Sequence, residues 1–178
     1  MNIKKGCVLL RAIEERDFEI LLRMLHSPEI EKAIGDFCLP VSEIQHKEWI
    51  KNYRNTEKQI RWMIELENGA VIGVIMLYGI DMKNGIAEVG YKTMTDKEKR
   101  MMGDVDCAMQ GVLDYAFLEL RLNCIFAQVV EYNSPSERYL LRNGFIKEGV
   151  LRQRVYQSGK YVDIKVFSIL KDEYVNKR

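Results

Sequence analysis

Apolar and polar positions along the 178-residue chain change period several times, and each change marks an element. Residues 7–13 form a short apolar strand, after which Asp17 caps a helix carrying Phe18, Leu21, Leu22 and Leu25 at helical spacing. Ser42 and Gln45 spell a capping box that opens a second helix holding Ile44, Trp49, Ile50 and Tyr53. Two strands, 60–66 and 70–77, flank Glu67-Asn68-Gly69, because Asn-Gly supplies the positive φ angles of a tight hairpin turn. A second turn near Asn84-Gly85 leads into a third strand, 86–94. From Asp104 to Leu120, the residues Val105, Ala108, Met109, Val112, Leu113, Ala116, Phe117 and Leu120 share one broad face, as in a helix packed on a sheet. A compact apolar strand at 124–130, a short helix at 136–142, and a late hairpin (154–157 and 161–170, turning at Ser158-Gly159) complete the pattern. This order predicts an α+β sandwich around a mixed sheet, a single domain over residues 1–178.

Composition narrows the function classes. A hydrophobic content of 47% suffices for a substantial core, while 27 basic and 26 acidic residues nearly cancel, so no global field draws in nucleic acid or an anionic membrane. The four cysteines, Cys7, Cys38, Cys107 and Cys124, form no C-x-x-C pair, which argues against a metal site or redox dithiol and fits a reducing compartment. No apolar run reaches 18 residues and residues 1–5 lack the apolar core of a signal peptide, so a cytoplasmic location is expected.

The candidate chemistry starts at Arg100-Met101-Met102-Gly103-Asp104-Val105, between the strand ending at Met94 and the long helix. A glycine-bearing loop entering a helix offers converging N–H groups and the positive end of the helix dipole to a phosphate, although acidic side chains there also repel one. Downstream stand Asp114-Tyr115-Ala116-Phe117, Asn133-Ser134-Pro135-Ser136 and Arg142-Asn143-Gly144-Phe145. In this order and spacing the motifs resemble the general N-acetyltransferase (GNAT) superfamily, closest to its branch of ribosomal-protein N-terminal acetyltransferases, over roughly residues 10–174.

The resemblance implies acetyl-CoA as co-substrate and a mostly antiparallel sheet whose fourth and fifth strands, here 86–94 and 124–130, splay apart. It places the pyrophosphate on residues 100–105 and the pantetheine arm against the backbone near Thr93 and Met94 and against Asn133. It also implies Glu88, in Ala87-Glu88-Val89-Gly90-Tyr91, as general base and Ser136 as proton donor to the departing thiolate. Alternation sets Glu88 on one face with Gly90 and Lys92, so a solvent-facing Glu paired with lysine stays open, as does plain helix capping for Asn133 and Ser136. The chain departs from the family pattern at Val105 (usually Gly or Ala), at Leu140 (a Tyr in many members, with Tyr139 one residue early) and at Val155 (a Glu in the ribosomal-protein branch). His26 and His46 read as surface or structural residues. The resemblance also implies acceptor contacts on the first helices and the late hairpin, which offer Phe37, Trp49, Tyr53, Tyr156 and Tyr161, with Trp49 and Tyr156 the candidate substrate-binding residues. The expected activity is transfer of an acetyl group to a small-molecule primary amine or a protein N-terminus, in a chain compatible with a homodimer; a non-catalytic acyl-CoA-binding protein is the alternative.

Overall fold

A computed structural model describes residues 2–35, 40–94 and 102–176. Eight strands, β1 (Ile3–Lys5), β2 (Val8–Arg11), β3 (Gln59–Leu66), β4 (Val71–Asp81), β5 (Ile86–Thr93), β6 (Cys124–Val130), β7 (Ile146–Gln157) and β8 (Lys160–Leu170), form one sheet in the order β1-β2-β3-β4-β5-β6-β8-β7. Every neighbouring pair is antiparallel except β5 and β6, so the sheet is mixed and mostly antiparallel as the sequence predicts. The helices are α1 (Phe18–Leu25), α2 (Pro28–Ile34), α3 (Glu43–Asn52), α4 (Met102–Asp114), α5 (Ser134–Arg142) and α6 (Lys171–Val175). One π turn, Tyr115–Glu119, prolongs α4.

The two faces of the sheet carry different layers. Leu21, Met24, Ile30 and Ile50 of α1 to α3 pack on Met63 and Val74 on one side. On the other, Met109, Val112, Leu113 and Phe117 of the α4 segment, with Leu140 of α5, pack on Ile64, Ile75, Leu77 and Ile125. The α4 stripe is therefore the one read from the sequence. At the other end of the sheet, Arg11 of β2 donates two hydrogen bonds to Asp17 (2.7 and 2.8 Å) and another to Glu65 of β3. Nearly full burial of Arg11 and Asp17 makes this a charge network whose partners hold the turn before α1 against the sheet, since removing one would strand a buried charge.

Four expectations need correction. The first strand is β2 alone, preceded by an unforeseen β1 that joins it through Gly6 and Cys7 in a hairpin. The amino-terminal third holds three helices, because Ser27, which accepts from the Ile30 N–H (3.3 Å), and Pro28 start the short α2. Helix α5 begins at Ser134, two residues before the predicted start. Strand β7 starts at Ile146, eight residues before the predicted 154, because its positions are exposed on both sides and show no period of two. The chain also continues from β8 directly into α6.

Helix α2 is tied to the β6–α5 junction by its own orphan carbonyls. Tyr132 Oη donates to the Lys32 carbonyl (2.7 Å) and Asn133 Nδ2 to the Ala33 carbonyl (2.8 Å), while Gly35 closes the helix at φ +68°. These ties hold α2 over the end of β6.

At Gly73 β4 lies close against β5: an added Cβ would lie 2.4 Å from the Lys92 carbonyl oxygen and 3.0 Å from Thr93 Cα. Backbone atoms cannot swing aside as a side chain would. Gly73→Ala is expected to destabilise the fold by roughly 1–3 kcal/mol in urea unfolding, whereas Gly159→Ala at the exposed β7–β8 turn, strained but unobstructed, should cost about 1 kcal/mol.

Candidate active site

The ladder between β5 and β6 has only three rungs, Ile86↔Cys124, Ala87↔Ile125 and Glu88↔Phe126. Beyond them β5 stays with β4 as far as Thr93↔Gly73, and β6 stays with β8 as far as Val130↔Ile164. A fork thus opens between the fourth-to-fifth strand pair of the family pattern, and a cleft of about 860 Å³ runs from it to the α1–α3 layer. Its walls include Glu88, Tyr91, Asn133, Ser136, His46 and Trp49.

Alternation decides which backbone groups of β5 turn toward the fork. The Met94 N–H donates to the Ile72 carbonyl (2.9 Å), so its bonding direction is toward β4. Thr93, Tyr91 and Val89, of opposite parity, turn their backbone groups toward β6 and the fork. Of the predicted pantetheine pair, Thr93 therefore has the required orientation and the Met94 N–H does not. Val89 and Tyr91 join the candidate edge.

Glu88 stands at the crotch of the fork. Across the β4–β5 ladder its partner is Tyr78, whose ring lies over Gly90; a Cβ there would sit 2.9 Å from Tyr78 Cε1. Tyr78 hydrogen-bonds the Glu88 carboxylate, and Gln128 Nε2 donates to both of its oxygens at 3.3 Å. Burial dominates and pushes the Glu88 carboxyl above its ordinary value, while the Tyr78 and Gln128 hydrogen bonds pull the other way. Among the described residues no lysine pairs with it; Lys92 shares its face but makes no ion pair. The sequence motif pointed to Glu88, but Tyr78 and Gln128 were missed because their partnership is a matter of cross-strand register.

On the opposite side of the fork, Asn133 caps α5 by accepting from the Ser136 N–H (3.1 Å) and reaches α2 through its amide. Both ends of its carboxamide thus have internal partners, and capping accounts for its position. Ser136 lines the cleft, its main chain held by that cap. Leu140 also lines the cleft and is wholly buried. Tyr139 turns away: its hydroxyl donates to the Val105 carbonyl (2.6 Å) and its ring packs edge-on against Tyr91 at 4.7 Å. Val155, in place of a family carboxylate, packs with Val130 beneath Gly35, where a Cβ would meet both valines at 3.1 Å.

The predicted phosphate loop is partly visible. Arg100 and Met101 lie outside the described residues, and the Met102 backbone starts α4. Among the described residues nothing lies within 4 Å of a Cβ added at Gly103, in the first turn of α4. Val105 is buried in the core and can offer only its backbone. Asp104 is 5% exposed and accepts a hydrogen bond from the Cys7 thiol (2.9 Å), an interaction that pushes the thiol up to about 11. Asp106 is held by Arg142 (2.9 and 3.0 Å) and Asn143 (2.8 Å). Both carboxylates are therefore engaged by protein groups, which reduces the repulsion their presence implies.

The acceptor wall differs from expectation. Trp49 lines the cleft, beside Arg61 of β3, whose guanidinium carbon is 5.5 Å from the ring centres of both Trp49 and Tyr53. Tyr156 and Tyr161 are each 64% exposed and pack on one another at 5.1 Å near the β7–β8 turn, and neither lines the cleft. Phe37 lies outside the described residues. His46, read as surface or structural, is 5% exposed, stacks on Trp49 (5.6 Å, 13°), and lines the cleft with no partner for Nε2 among the described residues. Burial lowers its basicity and favours the neutral ring. Its spacing from Trp49, Ile50 and Tyr53 is the helical stripe that could have revealed it. Among the described residues no three His, Cys, Asp or Glu side chains are placed to hold a metal ion, and no helix is long and apolar enough to cross a membrane.

A sheet forked beside a helix start, with a desolvated carboxylate at the crotch, has the architecture of an acetyltransferase. The family model described as acetyltransferase (GNAT) domain matches residues 8–146, and the chain belongs to that family. It is an N-acetyltransferase. The uncharacterized N-acetyltransferase p20 of Bacillus licheniformis is 34% identical over 170 residues, covering 93% of each chain. The ribosomal-protein-serine acetyltransferase of Escherichia coli is 29% identical over 102 residues, 57% of this chain and 56% of its own. The crystal structure of spermidine N-acetyltransferase from Vibrio cholerae in complex with CoA and spermine shares the fold at a TM-score of 0.85 with 24% identity, covering 96% of this chain and 99% of that one.

A carboxyl raised above its ordinary 4.5 contributes stability that is fully present below that value and is lost as pH rises through the folded value. Glu88→Gln is therefore expected to be more stable than the native chain at pH 7, with the advantage shrinking as pH falls toward 4.5. Paired urea titrations at pH 7 and pH 4.5 test this; equal stability at both would contradict the desolvation of Glu88.

Proposed function

We propose that the protein transfers the acetyl group of acetyl-CoA to the primary amine of a small molecule, such as an amino sugar, polyamine or antibiotic, or to a protein N-terminus, by direct attack. The observation that carries this reading is the end of β5–β6 pairing at Glu88↔Phe126, which sets a desolvated carboxylate where the two strands part. The residues present fit the co-substrate: the β5 edge turns into the fork, and Gly103 lies in the first turn of α4 with no described atom within 4 Å of an added Cβ. Backbone N–H groups of Gly103 to Val105 would hold the pyrophosphate, with the α4 dipole in support and Arg100 adding charge. Met101 and Met102 would contribute backbone to the same loop, and Asp104 likewise only its backbone. Bound there, acetyl-CoA supplies a thioester and leaves as CoA.

Glu88 takes the proton from the incoming ammonium, directly or through water, because a carboxyl raised by burial is a better base than an exposed one. Gln128 and Tyr78 keep its oxygens aimed, and Ser136 donates toward the leaving sulfur from a backbone position that Asn133 fixes. The main-chain edge at Thr93 would align the pantetheine arm, and Trp49 would form the acceptor wall. A small acceptor is favoured over a protein N-terminus because α2 is tied over the end of β6 and Val155 supplies no second carboxylate. The spermine and CoA bound by the Vibrio neighbour support this class of acceptor.

Titrating acetyl-CoA calorimetrically into the protein and into Gly103→Trp tests the cofactor site, with circular dichroism of the variant reporting an intact fold. Binding by the native chain and its loss in the variant are expected. Once an acceptor is found, Glu88→Gln and Ser136→Ala should each lower kcat by about 10²–10⁴-fold. The acid limb of kcat should lie above the ordinary carboxylate range and vanish in Glu88→Gln. Acetyl-CoA binding with no turnover on a broad amine panel would instead favour a non-catalytic acyl-CoA-binding protein.

A further inference from the structure

The charged side chains lining the cleft, among the described residues, are one carboxylate, Glu88, and three cations, Arg61, Lys92 and Arg154. Among the described residues none of the three cations makes an ion pair. Such a wall is ill-suited to a polyamine, whose several ammonium groups need anionic partners and would meet like charge. Lys92 is next to Thr93 at the end of β5 where the phosphate loop follows, which assigns it to the cofactor side. Arg61 and Arg154 remain facing the acceptor space.

Arg61 is held in place before any ligand arrives. Its guanidinium is packed by Trp49 and Tyr53, and with the Gln59 carboxamide turned so that its oxygen faces Arg61, Nε and Nη2 donate to it at 2.6 and 2.7 Å. Among the described residues no acceptor takes the Nη1 donors. Across the sheet Arg61 pairs with Met76 and Met76 with Gly90, on the face that bears Glu88. Two strand spacings therefore separate Arg61 from the Glu88 strand, roughly 10 Å.

We infer that the acceptor carries a carboxylate or phosphate at the end remote from its amine, and that Arg61, aided by Arg154, reads this anion while the amine lies at Glu88. This narrows the acceptor class proposed above and rests on that reading. An ω-amino acid or aminoalkyl phosphate with about six carbons spans most of the distance. Its chain would cross the apolar floor formed by Met76 and Val74.

The test is calorimetric titration of the CoA-saturated protein with 6-aminohexanoate, 6-aminohexyl phosphate, 6-aminohexanamide and spermidine. Either acid should bind roughly 10- to 100-fold more tightly than the neutral amide, the cost expected when a charged hydrogen-bond acceptor is removed, and spermidine should bind most weakly. Arg61→Gln should erase the preference for the acids over the amide, with its CoA affinity reporting an intact fold. The stronger of the two acids identifies the anion. Equal binding of acid and amide, tighter binding of spermidine, or a preference that survives Arg61→Gln would overturn the inference. Should CoA fail to bind, the acetyl-transfer reading falls, while the same titrations into CoA-free protein still decide the anion site.

Discussion

The site depends on a parallel strand pair that stops early. Both β5 and β6 have long antiparallel partners on their outer sides, β4 and β8, and only three rungs between them. Each strand therefore follows its outer partner as the sheet twists, and the weaker parallel ladder gives way. Val89, Tyr91 and Thr93 of β5 then turn their backbone groups toward the opened inner edge. The close β4–β5 approach at Gly73 keeps β5 on its side, while the Tyr132 and Asn133 ties brace α2 and the β6–α5 turn on the other.

Charge placement follows from that geometry. Glu88 occupies the last paired position, where the sheet still shields it but the cleft already reaches it. Gly90 makes room for Tyr78, and Gln128 reaches over from the far strand, so a desolvated carboxylate is kept oriented by neutral donors rather than neutralised by a cation. That arrangement sacrifices some stability for reactivity, as sites of this kind commonly do. At the start of α4 Asp106 is treated in the opposite way, paired with the Arg142 cation, while Asp104 accepts from the neutral Cys7 thiol.

Legibility in the sequence followed physical locality. The α4 stripe, the Ser42–Gln45 box and the Asn68-Gly69 hairpin are local signals, and the structure has the element at each. Short α2 carries too few turns to display a period, and β7 is exposed on both sides, so neither stood out. The motif order made the splayed strands legible only through family resemblance, because the rung at which pairing ends is set by tertiary structure. Glu88 and Ser136 were legible as cleft residues, whereas Tyr78, Gln128 and Arg61 reach the site through cross-strand register, which one strand's sequence does not encode. The position of Tyr156 outside the cleft was not legible for a related reason: aromatic character does not say which end of a hairpin faces the cleft.

Amide hydrogen exchange with and without acetyl-CoA tests the fork most directly. The account predicts new protection at Val89, Tyr91 and Thr93 and at Gly103 to Val105, with little change in β1, β2 and β3. Protection spread evenly over the sheet, or confined to the β7–β8 turn, would contradict a cofactor seated between β5 and β6.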